Sequence, residues 1–316
     1  ADSSAGPGLR QRAASELAWL ATQRDEQGRH LVRGADPREW WGLRPFSDPG
    51  LAVAAEPEPI RLTGSAVESV LACPRQWFLS GPASGRPAKD VRAVFGTLVH
   101  QLIAESVQTG VLAADLSERL AEVWPQLPYG APWYTQAQYD QAVAALRRYD
   151  SWASSSDHAH PLGVEVPFRL RLELNGRQVL VTGTVDRLEV DSSNRLRVVD
   201  FKTNGSARSQ DDVLQMDQLG IYQLAVREGQ FDDLTGGVRQ LADAQAVYLR
   251  VAKADGPTVR SQPPLDSEGQ TWVHEHLSEA AEIIATEDFY ANVQPGCRHC
   301  DFRLGCPAQA VGGEQQ

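Results

Sequence analysis

Two short strand-like segments hold the residue types that can do chemistry at a useful spacing. Gly183-Thr184-Val185-Asp186-Arg187 closes on an aspartate, and Val198-Val199-Asp200-Phe201-Lys202-Thr203 follows after a short interval. Side chains alternate along a strand, so Asp200 and Lys202 share one face and Phe201 takes the other. Two carboxylates on adjacent hairpin strands with a lysine beside them can hold one hard divalent cation, and the lysine can then support an attacking water or hydroxide. Phe201 would offer its backbone carbonyl to that cation while its ring packs in the core. An Asp-x-Lys alone is more often a surface ion pair. Here Asp200 follows Val198-Val199, where a strand leaves the core, which favours the site over the surface pair.

The cysteines form a second constellation. Cys73 stands alone, and Cys297, Cys300 and Cys306 cluster in a C-x2-C-x5-C pattern. In a cytosolic chain of this size disulfides are disfavoured, so four thiols read as a metal site completed by Cys73 through the fold. Four soft thiolates suit tetrahedral zinc or an iron–sulfur cluster, and spacing does not choose between them.

The elements that must position these groups follow from periodicity. Apolar spacing predicts helices over Ala14–Thr22, Thr63–Leu79, Val91–Val107, Leu116–Val123 and Gln136–Ala153, with Thr63 or Ser65 as an N-cap and Cys73 on the last turns of its helix. Alternation predicts strands over Val164–Leu174, Gln178–Val190 and Arg195–Lys202, separated by Asn175-Gly176 and by Asp191-Ser192-Ser193-Asn194. A helix over Asp211–Glu228, a strand over Ala244–Val251 and a helix over Glu268–Thr286 complete an α/β fold: a mixed central sheet flanked by helices, after a helical N-terminal half.

Composition bounds the function. Thirty Lys+Arg against 41 Asp+Glu leave a net charge of −11, so a generally basic nucleic-acid-coating surface is excluded and any grip on nucleic acid must be local. No stretch approaches the roughly 18 consecutive apolar residues of a membrane span, and no signal-peptide order opens the chain, which predicts a cytoplasmic protein without a membrane partner. A chain that opens on Ala1, with Met216 its only methionine, reads as processed or cut from something longer.

Taken together, the motifs resemble the RecB-like nucleases of the PD-(D/E)xK superfamily. Gly96-Thr97-Leu98-Val99-His100 resembles the helix-borne histidine motif, and Gly183 to Arg187 the first acidic motif. Val199 to Thr203 resembles the Asp-x-Lys motif, and Gln218-Leu219-Gly220-Ile221-Tyr222 the downstream Gln-x-x-x-Tyr motif. The cysteine arrangement resembles the iron–sulfur staple of AddB-type members. The resemblance implies a restriction-endonuclease-like core over residues 62–307, between an N-terminal helix and connector (1–61) and a C-terminal tail (308–316). It implies Mg²⁺ or Mn²⁺ held by His100, Asp186, Asp200 and the Phe201 carbonyl, with Lys202 acting on the water and the transition-state charge. Gln218 and Tyr222, four apart on one helix face, would contact the substrate backbone or order Lys202. Glu165 resembles a family acidic position of second rank. The four cysteines would bind a 4Fe-4S cluster rather than zinc.

The opening helix, the Trp40-Trp41 connector and Val251 to Gly256 are similar to the C-terminal nuclease domain of an AdnAB-type helicase–nuclease subunit. No phosphate loop is present. The implied partners are therefore single-stranded DNA, motor domains on the same longer chain and a partner helicase–nuclease subunit. The competing readings are a catalytically silent DNA-binding or structural module of this fold and an iron–sulfur electron-transfer protein; no second cofactor motif supports the last.

Overall fold

Asn175 and Gly176 both take positive φ (50° and 76°), the backbone that a two-residue hairpin turn requires, and from that turn the sheet is built. In the computed structural model, which describes residues 6–37, 52–53, 58–83, 85, 91–127, 131–155, 160–253, 256–266 and 268–310, the turn joins β2 (His160–Leu174) to β3 (Arg177–Val190). The pair is antiparallel, with Leu174 opposite Arg177. A second turn follows, in which Asp191 accepts hydrogen bonds from the Ser193 and Arg195 amides, and it leads antiparallel into β4 (Leu196–Lys202). β5 (Leu241–Lys253) runs parallel to β4, and β6 (Gly256–Gln262) closes that edge antiparallel to β5. β1 (Ile60–Leu62) adds a parallel neighbour to β3. The mixed six-stranded sheet has the order β1-β3-β4-β5-β6, with β2 on the far edge of β3. β1 has only three residues and β6 reads Gly-Pro-Thr-Val-Arg-Ser-Gln, so neither carries an alternation that the sequence alone reveals.

Two strands share one edge of β3. β1 pairs with Val179–Val181 and β4 with Arg187–Val190, so the stretch 182–186 has no strand partner on that edge among the described residues. Asp186 lies at the end of this gap, where β4 parts from β3.

Helices cover both faces. On one, α2 (Gly64–Ala72), α8 (Asp217–Arg227) and α10 (Trp272–Thr286) bury Val67, Leu219, Ile221 and Leu277 against Val181, Leu188 and Val198. On the other, α4 (Val91–Thr109) and α6 (Pro132–Ala153) bury Phe95, Val99, Leu146 and Trp152 against Val199, Phe201 and Val247. Each such side chain contributes roughly 1.5–3 kcal/mol, so the faces are set by many independent contacts. The remaining helices are short: α3 (Pro74–Ser80), α5 (Ser117–Val123), α7 (Gln210–Leu214), α9 (Asp232–Thr235) and α11 (Pro307–Ala310). No helix among the described residues is long and apolar enough to cross a membrane.

Two expected helices are broken. Thr63 caps α2, its hydroxyl accepting the Ala66 amide at 3.1 Å, but the helix ends at Ala72. Pro74 disfavours helical backbone in the residue before it, so Cys73 is extended (φ −160°, ψ 99°) and sits in the break before α3 rather than on a last helical turn. The helix expected over Asp211–Glu228 divides at Gln215–Met216 into α7, which Ser209 and Asp212 cap reciprocally, and α8.

The chain divides into two compact units, Ala1–Leu51 and Ala52–Gln316. In the first, α1 (Pro7–Thr22) buries no residue and exposes Trp19, and His30 faces Asp36 at 3.8 Å. Trp40-Trp41 of the expected connector, residues 254–255 and the last six residues of the tail lie outside the described residues.

Candidate active site

The parting of β4 from β3 is bridged by one side chain. Asp186 Oδ2 accepts a hydrogen bond from the Phe201 backbone amide at 2.6 Å, which ties the first acidic segment to the second. In an extended strand the N–H and C=O of one residue point to the same edge, so the Phe201 carbonyl also faces the Asp186 side. Its ring packs the opposite way, edge-on to Tyr149 and Trp152 at 5.3 and 5.4 Å between centroids. Asp200 and Lys202 share a face as alternation requires, with Nζ 2.8 Å from Asp200 Oδ2. Lys202 Nζ also donates to Gln218 Oε1 at 2.6 Å, and the Gln218 amide nitrogen donates to the Tyr222 hydroxyl at 2.7 Å. Gln218 thus orders Lys202, and Tyr222 orders Gln218.

Two glycines allow the flanking helices to come this close. A Cβ on Gly96 would stand 3.0 Å from Thr203 Oγ1, so glycine lets α4 lie against the end of β4 and carry His100 to the site one turn later. A Cβ on Gly64 would stand 2.9 Å from the Gln218 Cα, so glycine lets the start of α2 seat against α8. Both were invisible to periodicity, which registers apolar side chains rather than their absence.

His100 Nδ1 lies 3.6 Å from Asp186 Oδ1 and 3.7 Å from Glu165 Oε1. These three residues bring ligand atoms within 4.8 Å of one another, the one such group of three or more among the described residues. Glu165 therefore stands nearer His100 and Asp186 than its second rank in the sequence implied, while Asp200 lies outside the trio, behind Lys202. The position of Glu165 is strained: its φ is +49°, in the left-handed region, and it lies across β2 and β3 from Asp186, between the pairs Val164–Arg187 and Val166–Val185. Strain of this kind costs roughly 1–3 kcal/mol and persists only where the surroundings enforce it.

The electrostatics are those of a site rich in negative charge. Burial opposes a charge on His100, yet Asp186 and Glu165, with Asp200 behind, outweigh it and raise the imidazole to about 10. Burial raises the Asp200 carboxyl to about 6 against the pull of Lys202, with Asp186 adding to the rise. Asp200 is 2% exposed, and its Oδ2 touches Lys202 without an aligned hydrogen bond, leaving a buried anionic oxygen without a hydrogen-bond partner. Tyr222 is held protonated, by burial first and the nearby carboxylates second.

Arg187, adjacent to Asp186, was read only as part of a motif. It is buried and donates to Glu189 at 2.6 Å and to the Tyr149 hydroxyl at 2.7 Å, with its guanidinium 5.3 Å from the Trp152 ring centroid. This buried pair joins β3 to α6 directly behind Phe201.

The cysteines come from both ends of the domain. α3, which Cys73 precedes, docks on the segment leading to the late cysteines: the Arg75 amide donates to the Tyr290 carbonyl, Phe78 stacks on Phe289 at 4.5 Å, and Gln294 donates to Gln76. Cys73 is buried and the other three half-buried. No three of their sulfurs lie within 4.8 Å of one another.

Among solved structures, the chain is similar to SSO0001 (15% identity, TM-score 0.40, covering 81% of this chain and 89% of that one). It is also similar to a putative exonuclease from Eubacterium rectale (12% identity, TM-score 0.37, with the same coverage). No curated protein matches the sequence. The family model for the PD-(D/E)XK nuclease superfamily matches residues 61–307, the span that contains every element of the site, and the chain belongs to that superfamily.

Proposed function

We propose that the chain is a divalent-metal-dependent deoxyribonuclease, a phosphodiester hydrolase that cuts single-stranded DNA. The observation that carries this reading is the convergence of His100, Glu165 and Asp186 at the parting of β3 and β4, with the buried Asp200 and its partner Lys202 on the adjoining strand. Carboxylates gathered at a largely buried place, with one ammonium beside Asp200, are stabilised further by a cation. Carboxylate and carbonyl oxygens with one imidazole suit Mg²⁺ or Mn²⁺, and the nitrogen leans toward Mn²⁺. Asp186, Asp200, His100 and the Phe201 carbonyl would hold the ion, with Glu165 in reach of the same place. When bound, the ion supplies Lewis acidity toward phosphoryl oxygens and eases deprotonation of water. Lys202, aimed by Gln218 and Tyr222, steadies the negative charge that develops on the attacking and phosphoryl oxygens during in-line displacement.

The four cysteines fit a 4Fe-4S cluster that staples α3 to the C-terminal segment. A single zinc with Zn–S bonds of about 2.3 Å needs its thiolates roughly 3.8 Å apart. A cluster instead places several irons between its sulfurs, and the resemblance of the cysteine pattern to the iron–sulfur staple favours the cluster. In this reading the chain is the nuclease domain of an AdnAB/AddB-type subunit in the cytoplasm. Motor domains on a longer chain, with a partner subunit, feed it single strands from double-strand break ends for recombinational repair. The test is end-labelled single-stranded DNA incubated with the purified chain in Mn²⁺, Mg²⁺ or EDTA. Cleavage with either ion and none in EDTA is expected; intact DNA in all three overturns the reading.

A further inference from the structure

A chain of net charge −11 that grips DNA must concentrate its positive charge somewhere, and the register of the sheet shows where. Thr184, Thr182 and Leu180 share one face of β3, because side chains alternate while Val179, Val181 and Val185 go into the core; beyond Val185 the alternation shifts, with Leu188 in that same core, and Asp186 stands at the shift, beside His100 of α4. The antiparallel register places Pro167 beside Thr184, Arg169 beside Thr182 and Arg171 beside Leu180. The parallel register places Arg61 on the other side of Leu180. Arg61, Arg169 and Arg171 are all exposed. Leu180 is 2% exposed although it belongs to neither core, consistent with arginine stems lying over it. The result is a strip of hydroxyls and guanidinium groups that starts at Asp186 and runs away along β3.

These arginines also differ from others of the domain. Arg177, Arg187, Arg197, Arg208 and Arg239 each meet a carboxylate, whereas Arg61, Arg169 and Arg171 meet none among the described residues. Three positive charges left unneutralised in an acidic chain favour an external anion. Successive rungs of the strip lie about 6.8 Å apart, twice the strand rise. That is of the same order as the spacing of phosphates along an extended single strand. From Asp186, the Arg169 rung is about 14 Å away and the Arg61–Arg171 rung about 20 Å.

We infer that this strip is the track for the substrate strand: Arg169, Arg171 and Arg61 bind the second and third phosphates from the one at Asp186, and Thr182 and Thr184 line the path between. The inference rests on the nuclease reading for its direction, and its contacts are to the backbone, so it confers grip without sequence preference.

The test is fluorescence anisotropy of the full chain with a labelled oligothymidylate of 20 nucleotides in EDTA, over a salt series. The variants are Arg169→Gln alone and Arg61→Gln, Arg169→Gln and Arg171→Gln combined; glutamine removes the charge while keeping a polar side chain. Each lost phosphate contact should weaken binding about fivefold near 0.1 M salt and reduce the slope of log K against log salt by about 0.7. The triple variant should therefore lose on the order of 100-fold and about 2 in slope. Arg195→Gln, in the turn after β3 and away from the strip, should bind as the parent does. A triple variant that melts like the parent, with unchanged affinity and slope, overturns the track. Should the combined variant fail to melt like the parent, the single Arg169→Gln variant decides, its unchanged slope overturning the track. Wild-type cleavage in Mn²⁺ is scored separately, so a chain that binds through the strip yet never cuts overturns the nuclease reading while the track stands.

Discussion

At the scale of single residues the site stores unfavourable electrostatics that a cation would relieve. The carboxyl of Asp200, raised to about 6 chiefly by burial, takes up a proton more readily in the folded chain than in the unfolded one. Its contribution to stability is therefore present at low pH and lost as pH rises through about 6. His100 has the same sign but a different window. Carboxylates outweigh its burial and raise it to about 10, so its contribution is complete below the ordinary imidazole range and disappears as pH rises through about 10. In EDTA, Asp200→Asn should melt at or above the parent at pH 8, and the gap should close below about pH 4, where the parent carboxyl is also neutral. The same variant and Asp186→Ala should lose cleavage with the fold intact. A lower melting temperature for Asp200→Asn at pH 8, or Mn²⁺-dependent cutting by either variant at the parent rate, would count against the assignment. Lys202→Ala should lose roughly 10²–10³-fold in turnover, as expected for removal of a charge-stabilising donor. Its Mn²⁺ affinity, followed by calorimetry, should hold or rise, because an ammonium 2.8 Å from Asp200 competes with a cation. A large drop in that affinity would assign Lys202 to ion binding instead.

At the scale of elements, the behaviour of β3 follows from two neighbours sharing one edge and from the anchor behind it. Arg187 and Glu189 form a buried pair, with Glu189 raised above the ordinary carboxylate range chiefly by its burial and only partly restored by Arg187. Removing one partner strands the other. Arg187→Ala should cost roughly 3–5 kcal/mol in urea denaturation, because Glu189 stays buried without its cation. Replacing the pair together by Arg187→Met and Glu189→Leu should recover most of the loss. If the single and double variants are equally unstable, the pair is not the anchor that joins β3 to α6. The sequence revealed this strand and its aspartate through alternation, but alternation does not distinguish a buried arginine from an exposed one. For the same reason β1 was missed: three residues are too few for a period, and only pairing with Val179–Val181 makes them a strand.

For the molecule as a whole, the two ends of the domain meet at α3, where Phe78 stacks on Phe289 and Arg75 binds the Tyr290 carbonyl. A cluster held by Cys73 with Cys297, Cys300 and Cys306 would close a very long loop, which restricts the unfolded chain, and the free energy of ligation adds to folding. Anaerobically purified protein should be brown, with about four irons per chain. Cys73→Ala should bleach and melt earlier, with activity lost through unfolding rather than chemistry. Stoichiometric zinc, no visible absorbance and an unchanged melting curve in the variant would together overturn the staple.

Motif order and strand alternation were legible without a structure because each depends on neighbours a few residues away. Asp186, the Asp200–Lys202 pair, the turn at Asn175-Gly176 and the Gln218–Tyr222 face are all local patterns of this kind, and they were enough to place the chain in its superfamily. What required the tertiary structure depends on residues far apart in the chain. Such features are the parting of β4 from β3, the amide of Phe201 captured by Asp186, the close approaches at Gly64 and Gly96, and the left-handed Glu165 facing His100. The row of arginines belongs with them, because Arg61 and Arg171 come from strands separated by most of the helical half and meet only through the register of β3. Local patterns record which face a residue takes; which other residues share that face is decided by pairing, and pairing is a property of the folded sheet.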